Sequence, residues 1–417
     1  MAVIRFPHSG DSDSSQQDFG YRDWEDEDEY IDEQVEASEH SRERRRDILR
    51  LILRIVCVLA AAGVVIVFVL YLSSQRVYST ASTQQIYAVS ATEDVNYLAL
   101  GSNIVYYSKD GASCISGKGN AVWSLSFEMQ QPMVSTDGDY LAIGDYGGNT
   151  IYLQTSSSIV GTIDTNLPIR QLCVSESGRV AAVLEDSDVN WIYLYTPEGE
   201  AVSSFKLSMS GSGYPLSIAV SPSGELMCVS HLVVSSSGYS TSIAFHNFGS
   251  VGQNYADKYV SGFEFDEIFP YMLYMSDSVC VGVSDARLAF FTGKEIPLNS
   301  ANVMISDEIV GVYASDDYIA LLFLDDSGSE DYVLDVYDTS GNRTGEIAFS
   351  LDYTDIRMSG SLIYIYNDND LLMYTVTGNL RYDGSFPENV YQVIPAASRQ
   401  DRLYIVTETG IERMTLQ

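Results

Sequence analysis

From residue 84 onward apolar and polar side chains alternate in short runs, RVAAVLED, NWIYLYT, YIALLFL, LIYIYN and RLYIVTE, each bounded by Gly, Asp, Ser or Pro. A period of two sends successive side chains to opposite faces of a strand, and no helical period of 3.6 appears in this half of the chain. The region reads as all-β, with a sandwich or a propeller as the two architectures that suit many short strands.

The turns decide between them. One kind follows an apolar strand and carries a serine: Ser102, Ser135, Ser175, Ser221, Ser276, Ser315, Ser359 and Ser398. A second kind, centred on Gly119, Gly199, Gly293, Gly341 and Gly378, comes roughly twenty residues later and suits the positive φ of a tight hairpin. Two turn types alternating on a period of roughly forty residues describe a four-stranded unit, and such units arranged radially make a β-propeller. Eight serine turns predict eight blades; reading Ser90 as the first turn of an ordinary blade gives seven as the alternative. After Ser398 only RLYIVTE and GIERMTL remain, so the last blade lacks a strand, and QQIYAVS at residues 84–90 is predicted to supply it by pairing within 403–417.

A different pattern precedes the strands. Residues 55–72, IVCVLAAAGVVIVFVLYL, carry no charge over a length of about 27 Å, close to the hydrocarbon thickness of a bilayer. Arg42, Arg44, Arg45, Arg46, Arg50 and Arg54 flank one side and Arg76 the other, which predicts a single span with the N-terminus in the cytoplasm. The apolar run is too long and begins too far into the chain for a cleaved signal peptide, and its arginine flank argues against a buried core helix. The expected organisation is a disordered acidic cytoplasmic tail with a basic juxtamembrane segment over 1–47, a transmembrane helix over 48–73, a linker over 74–83 and an extracytoplasmic propeller over 84–417.

Charge narrows the partners. The 417 residues carry 23 basic and 57 acidic side chains, a net charge of −34, and a nucleic-acid partner is excluded because phosphates require Lys and Arg. Beyond Arg76 there are about 14 basic and about 42 acidic residues, so the outer region is itself acidic and favours cations and basic partners. In the tail, Tyr21, Trp24 and Tyr30 interrupt a segment too polar to fold alone, and such aromatic-acidic stretches can dock on a basic cytoplasmic partner. Five cysteines do not make a disulfide framework: Cys57 lies in the apolar segment, while Cys114, Cys173, Cys228 and Cys280 stand singly in strand-like runs and read as buried thiols.

No catalytic motif accompanies these patterns. His8 and His40 lie in the tail, and His231 and His246 flank the polar stretch SSSGYSTS without an H-E-x-x-H or C-x-x-C motif, so they read as structural or surface residues. A nucleophile elbow, a phosphate loop and an Asp-box are all missing. The carboxylate clusters Asp137/Asp139, Asp325/Asp326/Glu330/Asp331 and Asp368/Asp370 fit turn chemistry; Ca²⁺ is the one cofactor they could take, and none has a complete calcium loop. A pair of them could also serve a glycosidase, which needs two carboxyl groups about 5–9.5 Å apart. Residues 230–270 lengthen the fourth blade and contain Tyr239, His246, Tyr255 and Phe263, a candidate docking region because loops on a rigid scaffold carry function. The candidate partner-binding set is Trp24, Tyr30, Tyr239, His246 and Tyr255, with no catalytic or metal residues assigned.

The segment KGNAVW, residues 118–123, resembles the T-G-x-x-x-W end of the quinoprotein (PQQ-like) propeller repeat, and VSESGRVAAV and VSPSGELMCV resemble the S-P-D-G strand pair of WD40-like and TolB-like propellers. Most units lack that tryptophan, since Trp123 and Trp191 are the two beyond the apolar segment, so the quinone cofactor is not expected. The order of acidic tail, basic flank, single span and propeller resembles a family of Gram-positive, mainly clostridial, membrane proteins known as a domain of unknown function. That resemblance implies a cell-envelope location and no activity. The expected function is a non-catalytic binding, scaffold or sensing module of the plasma membrane facing an envelope protein or wall polymer, with a glycan-acting enzyme or a purely structural assembly scaffold as alternatives.

Overall fold

The computed structural model describes residues 51–66, 76–89, 94–187, 189–208, 213–236, 238–396 and 399–417. The chain divides into two compact units, Met1–Arg76 and Val77–Gln417. In the first unit, residues 51–66 form an α-helix. At 1.5 Å per residue it is about 24 Å long, less than the roughly 30 Å of a hydrocarbon core. Among the described residues no helix is long and apolar enough to cross a membrane, so the span expected over 48–73 is not supported there, and its ends lie outside the described residues.

The second unit is an eight-bladed β-propeller built from eight four-stranded antiparallel sheets. Blades 1 to 7 occupy residues 96–126, 132–164, 169–208, 214–265, 271–304, 311–349 and 355–385, each with its strands in chain order from the inside out. Blade 8 combines Val390–Pro395, Arg402–Thr407 and Gly410–Leu416 with Ala81–Ala88 from the other end of the domain. The closing strand pairs antiparallel with the last, from Ala81 opposite Leu416 to Ala88 opposite Gly410, which is the closure the leftover strand required. It starts at Ala81, inside the stretch read as linker. Tyr78 is buried just before it, and its amide N–H donates to the Arg381 carbonyl of blade 7 at 2.7 Å. An eight-unit count and a closed ring therefore both hold, and the sandwich is ruled out.

Burial explains the sequence pattern more exactly than simple alternation. The second strand of each blade is covered on both faces by its neighbours, so Leu362–Tyr366 is buried at every position and Tyr318–Leu324 at five consecutive ones. Such strands read as continuous apolar runs, LIYIY and IALLF. Outer strands keep a period of two: Leu298–Met304 alternates exposed and half-buried throughout. The core is accordingly a set of clusters between adjacent blades, such as Ile192, Leu194, Phe205 and Leu207 of blade 3 against Ile218, Met227 and Val229 of blade 4. Each fully buried aliphatic side chain contributes roughly 1.5–3 kcal/mol.

The recurrent turns have one chemistry. Ser116, Thr196, Asp338 and Thr375 each accept, through a side-chain oxygen, the backbone N–H four residues later, with a positive-φ glycine at the third residue and a β-bulge in the adjoining ladder. In the serine turns, Ser175 and Ser221 accept the N–H of Arg179 and Leu226 at 3.1 and 3.0 Å. Trp123 is structural: its indole N–H donates to the Thr155 carbonyl of blade 2 at 2.8 Å. Cys114, Cys228 and Cys280 are buried, Cys173 is half-buried, and the described cysteines are all free thiols.

Candidate functional site

Two of the cavities among the described residues hold a carboxyl or an imidazole whose protonation burial shifts. The first lies among the inner strands of blades 2 to 6, with a volume of about 360 Å³, and is lined by Ser135, Asp137, Cys173, Tyr274 and Asp316 among others. Asp137 accepts the Glu176 N–H at 2.8 Å. Burial pushes its carboxyl up to about 6; that hydrogen bond opposes the rise, and the charges of Glu176 and Asp316 reinforce it. Burial likewise lifts the Cys173 thiol to about 11, which makes it a poor nucleophile at neutral pH. The cavity thus has two carboxyl groups, serine hydroxyls and apolar walls, with Tyr274 as its aromatic.

The second cavity, about 380 Å³, opens between the outer part of blade 3 and the face of blade 4. It exists because of how the long hairpin of blade 4 is registered. Leu226–Ser235 and Gly238–Asn247 are ten-residue strands paired antiparallel along their whole length, so His231 stands opposite Ser242 and Met227 opposite His246. Residues 227, 229, 231 and 233 share one face, and on the next strand 242, 244 and 246 share the same face. On the outermost strand Glu264 pairs with Ser242, Gly262 with Ala244 and Tyr259 with His246. The central row is Val229, Ala244 and Gly262, whose last two members leave the surface depressed. A Cβ at Gly262 would lie 2.2 Å from the Tyr259 hydroxyl, so the tyrosine ring reclines along the slot because that glycine is bare.

The slot is about 13 Å long, the span of four residues along a strand from the His246 row to the Ser242 row. Phe205 and Leu207 of blade 3 wall it, and the exposed Lys206 between them also belongs to its lining. His246 is 5% exposed, stacks on Phe205 at 4.2 Å and 17°, and meets Tyr259 edge-on at 6.0 Å. Its Nδ1–H donates to the Asp257 carbonyl at 2.9 Å, leaving the Nε2 lone pair unused by that bond. Asp257 and Lys258 adopt left-handed backbone, φ 51° and 58°, in the turn that delivers this carbonyl. His231 is 4% exposed and its Nδ1 has no hydrogen-bond partner. Burial lowers both imidazoles; His231 falls to about 4, with the nearby His246 adding to the fall, while for His246 the Asp257 carbonyl and carboxylate work against it. Both rings are neutral at pH 7. Glu264 and Asp257 are exposed at the mouth.

The candidates from the sequence scatter around this slot. His246, read as a structural or surface residue, is buried and lines it, because the strand pairing carries it between blades. Tyr239 is 65% exposed near the far end of the same strand, about 23 Å away, and Tyr255 is 43% exposed in the loop of short 3₁₀ turns beyond Asn247. The long fourth blade does not bring those tyrosines together. Trp24 and Tyr30 lie outside the described residues. His231, Tyr259 and Glu264 were not singled out as site residues; the pairing of Leu226–Ser235 with Gly238–Asn247 is what sets 231 and 246 on one face.

The carboxylate cluster at Asp325 behaves as a turn. Asp325 accepts the N–H groups of Ser327 and Glu330 at 2.8 and 3.0 Å and the hydroxyls of Ser327 and Ser329 at 2.8 and 3.0 Å, which holds its carboxyl down near about 2. Asp370 accepts the Ser385 hydroxyl at 2.6 Å. Among the described residues no three of His, Cys, Asp and Glu converge closely enough to hold a metal ion.

Residues 74–416 match the model of a family of unknown function, DUF5711. No protein of curated function matches the chain. Among solved structures, Chaetomium thermophilum Sqt1 bound to the N-terminus of the ribosomal protein L10 is 13% identical with a TM-score of 0.51, the match covering 81% of this chain and 100% of that one. BamB from Moraxella catarrhalis is 12% identical with a TM-score of 0.46, over 81% of this chain and 100% of that one. Likeness at this identity shows the fold alone.

Proposed function

The chain belongs to DUF5711, a family of unknown function, and from that premise we propose that it is a membrane-anchored binding module whose propeller receives a partner in the cell envelope. The observation that carries the reading is the slot between blades 3 and 4, where the buried Nδ1 of His231 meets no partner of its own. A neutral polar nitrogen held in a preformed cavity is a binding group, because leaving it unsatisfied costs about 1–3 kcal/mol. Sqt1, solved with a segment of another protein bound, illustrates that a ring of this fold can hold a peptide.

The anchor in this proposal is residues 48–73, with the tail and its Trp24 and Tyr30 in the cytoplasm and the propeller outside the plasma membrane. Support comes from the uncharged stretch 55–72 and the one-sided arginine flank. Crosslinking of the intact protein in cells tests the function: a reproducible propeller partner is expected, and no partner on either side of the membrane refutes it. An impermeant maleimide tests the orientation, since Tyr239→Cys should be labelled in intact cells and a cysteine in the tail should not.

A second reading is a glycan-acting enzyme working at the inner-strand cavity. It is favoured by Asp137, whose carboxyl near 6 sits beside Asp316, as a general acid and its partner carboxylate would. Release of reducing ends from wall glycans, abolished by Asp137→Asn, is its signature; no release from any envelope glycan removes it.

A further inference from the structure

Resting on the binding-module reading, we propose that the slot between blades 3 and 4 is a site for an aliphatic primary ammonium, a cationic head on a methylene chain such as a linear polyamine or a lysine side chain.

Three features choose this class. The slot is elongated and its flanks are apolar, with Phe205, Leu207 and Ala244 buried, so a methylene chain can lie along it. A buried hydrogen-bond acceptor and a buried unpartnered nitrogen remain for a ligand. The His246 Nε2 has its lone pair because Nδ1–H is committed to the Asp257 carbonyl, and the neutral His231 carries an unpartnered Nδ1. Carboxylates stand at the mouth, Asp257 beside His246 and Glu264 across Ser242 from His231, in a domain with a large acidic excess.

Each alternative class meets an obstacle. A metal ion would need three ligands on one point, and the described residues do not converge in that way. An anion would face the carboxylates of Asp257 and Glu264 and two uncharged imidazoles, with the exposed Lys206 the single basic residue among the described lining. A wholly apolar ligand would leave the buried His231 nitrogen without a partner. An ammonium donates three hydrogen bonds, is attracted by the mouth carboxylates and can rest against the ring of Tyr259.

Histidine gives a direct readout. The four histidines are His8, His40, His231 and His246, so two of the four signals report on the slot. The full-length protein in detergent, labelled at histidine Cε1, is titrated with spermidine, with Nα-acetyl-lysine amide, and with Mg²⁺ at matched ionic strength. Saturable shifts of His231 and His246 by spermidine or the lysine probe, without a matching response to Mg²⁺, support the site. Spermidine alone points to a free polyamine, and the lysine probe alone to a partner's side chain. Glu264→Gln, an exposed substitution that preserves shape, should weaken binding about tenfold while leaving the free-state spectrum in place. Ala244→Leu, which fills the slot from its floor, should abolish the shifts.

Absence of saturable shifts for both amines overturns the proposal, and so does an equal response to Mg²⁺ or an unchanged affinity in Glu264→Gln. These results leave the crosslinking outcome untouched: a partner captured equally well by the wild type and by Ala244→Leu would keep the binding module and dismiss the slot.

Discussion

The side-chain amide of Gln392 grips both backbone groups of Tyr97 across the seam between blades 8 and 1: its Oε1 accepts the Tyr97 N–H at 3.2 Å and its Nε2 donates to the Tyr97 carbonyl at 2.6 Å. The same device recurs at other seams. Gln171 of blade 3 donates to the carbonyls of Pro215 and Leu216 in blade 4 at 3.2 and 3.1 Å, and Ser217 of blade 4 accepts the Met272 N–H of blade 5 at 3.2 Å. A register shift immediately precedes all three residues, between Val390 and Gln392, Ile169 and Gln171, and Pro215 and Ser217. A bulge bends the inner strand and re-aims the next side chain, which here turns it from its own sheet to the neighbouring one.

Gln392→Ala should therefore weaken the seam at which the ring closes. Truncation leaves two inner-strand backbone groups without their partner and should cost about 1–3 kcal/mol. Urea unfolding of the full-length protein checks this, and hydrogen exchange should rise first at Tyr97. A variant as stable as the wild type would mean that water replaces the amide at no cost.

Gly410 is held to its identity by the closing strand. Its φ is +140°, and a Cβ there would lie 2.1 Å from the Tyr87 carbonyl oxygen. Gly410→Ala must displace Ala81–Ala88 or distort the hairpin from Thr407, with an expected loss of about 2–4 kcal/mol. Limited proteolysis should then cut near residues 77–95 before the rest of the propeller, and retention of protection there would contradict the closure.

How much of this was legible beforehand follows from what each residue interacts with. The glycines at 119, 199, 341 and 378 announced their hairpins because a positive φ is a local demand that only the glycine itself can meet, and the missing strand of blade 8 could be found by counting units. His246 stands out in the sequence as one of few histidines, but its burial is imposed by Phe205 on another blade. His231 and Glu264 were not picked out as site residues for the same reason: register places them on one face, but only packing against blade 3 turns that face into a slot. The apolar run at 55–72 is clear in composition, yet the described helix ends at residue 66.

The buried imidazole makes stability depend on pH with a definite sign. His231 falls from an ordinary 6.5 to about 4 in the folded protein, so between these values the unfolded chain binds a proton that the folded one refuses. Stability contributed by neutral His231 is full above pH 6.5 and is lost as pH falls towards about 4. The loss amounts to about 3 kcal/mol. His231→Leu should flatten that part of the profile relative to the wild type in chemical denaturation at pH 4.5 to 7.5, and identical acid slopes would show that His231 is charged in the fold.

Asp137 has the opposite sign. Its carboxyl is raised from 3.8 to about 6, so at neutral pH the fold holds a carboxylate that the unfolded chain would ionise more readily. The penalty is absent below pH 3.8, grows through about 6 and is full above it. Asp137→Asn keeps an oxygen for the Glu176 N–H and removes the charge, and should raise stability at pH 7.5 by about 1–2 kcal/mol after allowance for solvent screening. Little change is expected at pH 4. A destabilised variant at pH 7.5 would indicate that the carboxylate is engaged by a cation in solution.

Gln154 offers the clearest prediction of a gain. It lies in blade 2 with no exposed surface, opposite Leu141 and Ile159, and neither its Nε2 nor its Oε1 has a hydrogen-bond partner. An amide stripped of water and given nothing in return costs roughly 1–3 kcal/mol. Methionine has nearly the same length and volume and no polar atoms to satisfy, and its flexible thioether can settle into the existing space. Gln154→Met is expected to add about 1–2 kcal/mol, a rise in Tm of about 1.5–3 °C for a domain of this size in a calorimetric scan. Gln154→Ala separates the two contributions: it also removes the unpaired amide but opens a cavity, so it should fall below the methionine variant by about 1–3 kcal/mol. If both substitutions destabilise by the same amount, the amide is hydrogen-bonded in the folded protein and the expected gain does not exist.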